Sequence, residues 1–138
     1  METDFIVIGK YRNREKVREL VEQIRVKGNT CYDFTAKPAD PGNPNGSGHE
    51  QMSALESHPD FYNDPIHRDH FERDLAGLKG ARTVVLLFPA GNSAHVEAGI
   101  AFGLGKKLVC IGEPEKPETL YFIFHEHYST PEEFLNSF

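Results

Sequence analysis

Apolar positions fall into short continuous runs separated by amphipathic stretches. Phe5 to Gly9, FIVIG, is the first run, and it is closed by glycine. It fits a strand buried on both faces of a parallel sheet. Val17, Leu20, Val21 and Ile24 then recur at helical spacing with charges between them, Asn13 is placed to cap that helix, and Gly28 to stop it. Asn29 to Phe34 predicts a second strand. Ile66 to Lys79 predicts a helix with Phe71, Leu75 and Leu78 at core spacing and Gly80 at its end. TVVLLF, Thr83 to Phe88, is the clearest strand, and KLVCIG, Lys107 to Gly112, is another. Between them GNSAHVEAGIAFGLGKK predicts a helix. A short helix is expected over Glu118 to Glu126, and a last one after Thr130, with Pro131 in its first turn.

The stretch from Lys37 to Pro65 breaks the pattern with five of the nine prolines and three glycines. An irregular loop of that length is functional or disordered. HEQMSALES could form one short helix within it, and Phe61 and Tyr62 are large enough to pack back over something. Outside this loop, strands alternate with helices. That alternation predicts one α/β domain over residues 1–138, a three-layer sandwich around a mainly parallel sheet of four to five strands, flavodoxin-like or Rossmann-like. In such sheets ligands sit beyond the carboxyl ends of the strands, where strand order reverses. Two strand ends carry suitable residues: GKYRN after the first strand and PAGNS after the third.

Composition narrows the classes. Fifteen Lys+Arg against 21 Asp+Glu give a net charge of −6, which argues against a nucleic-acid polymer or an anionic membrane as partner. No apolar run approaches membrane-spanning length and nothing reads as a signal peptide, so a cytoplasmic protein is expected. Cys31 and Cys110 lie in apolar runs and read as small core residues. No spacing suggests a metal site, and no fingerprint suggests a cofactor: GxGxxG and the Walker A pattern are both missing after the first strand.

Three constellations carry chemistry. In PAGNSAHVEAG, Pro89 and Gly91 turn the chain, and Asn92 or Ser93 can cap a helix whose N-terminus suits an anion. Ala94, Ala98 and Ala101 let that helix sit deep, and Gly99, Gly103 and Gly105 suggest close backbone approach or a helix end. Glu97 lies among these small residues, in a position where burial is expected. In GKYRN, Gly9 allows close approach, Lys10 and Arg12 supply positive charge, and Tyr11 and Asn13 flank them. In HRDHFERDL, Asp74 borders the apolar face, within reach of a pocket, with His67 and His70 on the same face.

Taken in order, GKYRN, RDL at Arg73 to Leu75, ARTVVLLF and SAHVEAGIAFGLGKKLVCIG resemble the nucleoside 2-deoxyribosyltransferase superfamily, nearest its 2'-deoxynucleoside 5'-monophosphate N-glycosidase branch. The resemblance is best over Asp74 to Gly112. It implies that Glu97 is the nucleophile forming a covalent glycosyl-enzyme, and that Asp74 positions the sugar and handles the proton at the leaving base. It implies that Arg12 binds phosphate or sugar, and that Ser93 with Asn92 holds the 5' end. It also implies a small-molecule nucleotide or nucleoside substrate and a homodimer or larger assembly. Lys10 stands where that branch tends to have a small hydroxyl residue. Gly91, Asn92 and Ser93 stand where the transferases carry an aspartate. More positive charge and one acid fewer favour a phosphorylated substrate. The alternatives are transfer between free nucleosides, cleavage of NAD, a non-catalytic nucleotide sensor, and a domain with no small ligand.

Overall fold

Alternate residues of each strand face opposite helical layers, and this sets the architecture. In this computed structural model, which describes residues 2–57 and 59–138, the strands are β1 (Thr3–Ile8), β2 (Cys31–Tyr32), β3 (Ala81–Leu87), β4 (Lys107–Ile111) and β5 (Glu126–Tyr128). They form one sheet in the order β2-β1-β3-β4-β5, and every neighbouring pair is parallel. Ile6, Ile8, Val84, Leu86, Leu108 and Cys110 face helices α3 (Pro65–Gly80) and α4 (Asn92–Gly103), packing on Leu78, Ala94, Ala98 and Ala101. Val7, Val85, Leu87, Val109 and Ile111 face α1 (Arg14–Val26) and α5 (Pro131–Leu135), packing on Val17, Leu20, Val21, Ile24 and Phe134. The expected α/β sandwich with a parallel sheet is therefore what the chain forms. Both cysteines are buried and free, as expected, and burial pushes their thiols up, Cys31 to about 12 and Cys110 to about 11.

Several local expectations are corrected. The second strand keeps only Cys31 and Tyr32, because Asp33 accepts bonds from the Thr35 N–H and hydroxyl and turns the chain away. The helix expected over Glu118 to Glu126 is a 3-10 turn, Thr119–Ile123, followed by β5. There the open edge of β4 wins: the His125 N–H donates to the Leu108 carbonyl at 2.8 Å, and the Leu108 N–H donates to His125 Nδ1 at 3.0 Å. Asn13 precedes α1 but makes no capping bond. Phe71 is 54% exposed. The first half of α3 leans on the 37–65 loop, not the sheet, through His67 to the Leu55 carbonyl and His70 to the Ala39 carbonyl. Phe61 packs on the His67 ring, whereas Tyr62 stands in solvent. Gly99 and Gly103 approach no backbone. A Cβ on either would meet open space, while Gly105, with φ +74°, is the helix end.

The short helix expected within HEQMSALES is α2 (Gly48–Glu56). Ser47 and Glu50 cap each other's backbone at its start. Gln51, fully buried, bonds the Asp40 N–H and the Asn43 carbonyl, tying the preceding loop to the helix. Gly48 brings α2 against the residues after β1, where an added Cβ would lie 3.0 Å from the Tyr11 carbonyl oxygen and 3.1 Å from Arg12 Cα.

Candidate active site

The strand order reverses between β1 and β3, so the loops leaving their carboxyl ends diverge and open a crevice. Gly9, Lys10, Tyr11 and Arg12 follow β1. A turn at Pro89–Gly91 follows β3 and leads into α4. Both borders, with α3 behind and α2 in front, line a cavity of about 550 Å³. Gly9, Lys10, Tyr11, Arg12, Asp74, Gly91, Asn92, Ser93 and Glu97 all line it. These nine candidates are thus brought to one place, while Asn13 and His67, named beside them, do not line it. Gly9 is also held by packing, since a Cβ there would sit 3.3 Å from both the Leu87 carbonyl oxygen and Val17 Cγ2.

Glu97 lies on the same stripe of α4 as Ala94, Ala98 and Ala101, the face turned to the sheet. Its neighbours strip water from it, and burial raises its pKa to about 8, with the nearby Asp74 carboxylate adding to the shift. Asp74, projecting from α3, is also raised by burial. Arg73, His70 and the nearby Tyr32 hydroxyl, which donates to the Arg73 carbonyl at 3.3 Å, pull it back. The Tyr32 hydroxyl is itself raised, first by burial and then by Asp74. These groups form a half-buried acidic cluster that holds a proton at neutral pH. Gly77 makes room for the tyrosine, because a Cβ at 77 would be 2.7 Å from its ring.

The rim is cationic. Lys10 runs alongside Gly91 and makes no ion pair among the described residues. Neither Asn92 nor Ser93 caps α4. The cap position is Gly91, no side chain bonds it, and both residues lie exposed in the first turn. The first N–H groups of α4 are thereby left to a ligand. The turn is braced from outside: His95 Nδ1–H donates to the Gly91 carbonyl at 2.7 Å, and the Tyr121 hydroxyl donates to His95 Nε2 at 3.1 Å.

Arg12 faces a carboxylate. Its Nη1 and Nη2 donate to Glu56 Oε1 and Oε2 at 3.0 and 3.3 Å, and its Nε donates to His49 Nδ1 at 3.3 Å. Met52 and Leu55 of α2 add an apolar wall. Sequence reading missed this wall, along with Tyr32, Gly77 and the His95–Tyr121 brace. The helix itself was expected within HEQMSALES, and the Ser47-to-Glu50 capping pattern is the signal that fixes where it starts. His70 also lines the cavity. It donates from Nε2 to the Ala39 carbonyl at 2.8 Å and accepts from Arg73. His67 pairs with Asp64. Among the described residues no group of three or more His, Cys, Asp or Glu is placed to hold a metal, and no helix is long and apolar enough to cross a membrane.

Among solved structures, the fold is similar to that of a 2-deoxyribosyltransferase from the psychrotolerant bacterium Bacillus psychrosaccharolyticus. The TM-score is 0.64 with 14% identity, over 96% of this chain and 90% of that one. At that identity the likeness is one of fold. No family model and no curated protein matches the sequence.

Proposed function

We propose that the crevice cleaves the N-glycosidic bond of a 2'-deoxynucleoside 5'-monophosphate, with Glu97 as nucleophile. The observation that carries this is a water-poor glutamate beside a second carboxylate, at the foot of an anion-binding rim. Such a pair suits an oxocarbenium-like transition state. A Glu97 oxygen bonds C1' as the C1'–N bond breaks, and the bonding electrons leave with the base nitrogen, which takes up a proton. Water then attacks C1', restores the carboxylate and yields a free sugar phosphate. A second base attacking in place of water gives transfer.

The proton has a source. Near neutral pH the carboxyl pair holds one proton between them, and it titrates as a property of the pair. Attack needs Glu97 bare, so the proton shifts to the Asp74 side and on to the leaving base. In this scheme the 5'-phosphate lies at Lys10, Arg12, the free N–H groups of α4 and the Ser93 hydroxyl. The apolar Met52 and Leu55 wall faces the base. The protein works without a cofactor in this scheme, in the cytoplasm, as one domain. It works as a homodimer in which a second copy covers the apolar face of α4 left open at Val96, Phe102 and Leu104.

Transfer between free nucleosides is the second reading, supported by the name of the similar structure and by the engagement of Arg12 with Glu56. One assay separates the two. Deoxynucleosides and their 5'-monophosphates are incubated with and without an acceptor base, beside Glu97→Gln. Base release from a monophosphate, lost in the variant, is the expected result. Release only from nucleosides, only with acceptor present, would establish transfer instead.

A further inference from the structure

Arg12 lies in the cavity as a phosphate ligand would need it, yet three of its donors, including the paired Nη1 and Nη2 edge, are already engaged. Glu56 takes two of its N–H groups side by side and His49 takes a third. A guanidinium has five such donors, and the paired geometry is the one a phosphate uses. We propose that Glu56 is a specificity-determining residue, a built-in competitor that a 5'-phosphate must displace from Arg12. This rests on the nucleotide reading of the site.

Both partners line the cavity and both are solvated, at 39% and 56% exposure. A solvated ion pair is weak and exchanges readily. A phosphate dianion brings more charge to the same fork and lies in the cavity that Lys10 also lines, a cation with no ion-pair partner among the described residues. The incoming phosphate and Glu56 cannot both occupy the guanidinium, and like charge drives them apart. A neutral nucleoside carries nothing that displaces Glu56, so its binding ignores the pair. The effect is sharpest on the product side. Hydrolysis leaves 2-deoxyribose 5-phosphate, which keeps the charged group while losing the base. A competitor on α2 then re-forms its pair and helps the sugar phosphate leave. Glu56 thus trades affinity for the phosphate against its release.

The test compares the wild-type protein, Glu56→Gln and Glu72→Gln, the last removing an equal charge from an exposed position of α3 outside the cavity. Circular dichroism and melting confirm the folds. Calorimetry with 2-deoxyribose 5-phosphate needs no turnover. Glu56→Gln is expected to bind it about two- to five-fold more tightly, the scale of one solvated charge pair, while Glu72→Gln matches wild type. In turnover, KM for the monophosphate falls by the same factor and KM for the nucleoside stays constant. Binding that is unchanged or weaker in Glu56→Gln, or equal in both variants, overturns the proposal, as does absence of sugar-phosphate binding to all three proteins. The expected binding pattern without base release from any nucleotide would retain the role of Glu56 and remove the glycosidase reading. Base release with no response to Glu56→Gln would do the reverse.

Discussion

Replacing Glu97 by Gln should stabilise the protein, and the gain should grow with pH. In the unfolded chain this carboxyl ionises near its ordinary value of 4.5, but in the fold it keeps its proton to about 8. Between those values the folded state binds more protons than the unfolded state, so stability falls as pH rises. A shift of that size, at about 1.36 kcal/mol per unit, sets a ceiling of about 5 kcal/mol. Partial solvent access to the carboxylate brings the expectation to about 2 kcal/mol. Glutamine keeps the shape and has no proton to lose. Urea denaturation of both proteins at pH 4, 5.5, 7 and 8.5 reads the difference directly, because titrations common to both cancel. The curves should nearly coincide at pH 4, separate through pH 5.5 and 7, and stay parallel above pH 8. A gap that is constant across this range, or that closes with rising pH, would refute the desolvation argument. It would mean that Glu97 is solvated or held by an opposite charge.

The same proton should appear in catalysis. kcat/KM is expected to fall above about pH 8 as the carboxyl pair loses its proton, and a profile flat to pH 10 would detach the leaving-group proton from this pair. Gly77→Ala drives a methyl group into the Tyr32 ring. It should cost about 1–3 kcal/mol in urea denaturation and lower turnover by disturbing the tyrosine beside Asp74, whose hydroxyl donates to the Arg73 carbonyl; a variant as stable as wild type would mean that the ring simply moves aside. Gln51→Leu leaves the Asp40 N–H without a partner and the Asn43 carbonyl with only the Gly46 N–H. About 1–3 kcal/mol should be lost, with faster hydrogen exchange confined to the 37–56 segment. Phe102→Glu places charge on the open face of α4, 51% exposed at this residue. Sedimentation should shift it from dimer to monomer, whereas a wild type already monomeric would remove the dimer from the reading.

Legibility in the sequence followed periodicity. The three long strands and three long helices were readable because each repeats its apolar pattern over enough residues to decide between periods two and 3.6. β5 was not, since a strand of three residues carries no period, and β2 was expected but over Asn29 to Phe34, longer than the Cys31–Tyr32 that pairs. Their existence is decided by the edge they pair with, as the His125–Leu108 bonds show. The chemistry was legible where it sat next to a strand end. Glu97 and the GKYRN residues were singled out because they follow strand carboxyl ends, and Asp74, in the middle of α3, because it borders that helix's apolar face and matches the family resemblance; all of them line the crevice except Asn13. The α2 side of the cavity was not, because Glu56 reaches Arg12 from 44 positions away. Nothing local in ALES distinguishes that acid from any other exposed helix glutamate. Asn92 and Ser93 were read as caps on residue type, yet they are the first two helical residues after Gly91, and neither side chain caps the helix.

The small residues of α4 tie these threads together. A leucine at 94, 98 or 101 would hold the helix farther from β3 and β4, and Glu97 would then rise into solvent and ionise near its ordinary value. Alanine lets the helix close on the sheet, and closure is what desolvates the carboxylate. The cost falls on the fold twice, through lost apolar contact and through a buried acid. The acid is retained in a position where only a developing positive charge, such as that at the anomeric carbon of a departing base, compensates its burial. Gly99 and Gly103 do not share in this. They face outward to open space, so one helix carries two stripes of small residues: the inner one buries Glu97, the proposed nucleophile, and the outer one is where the proposed second copy would approach.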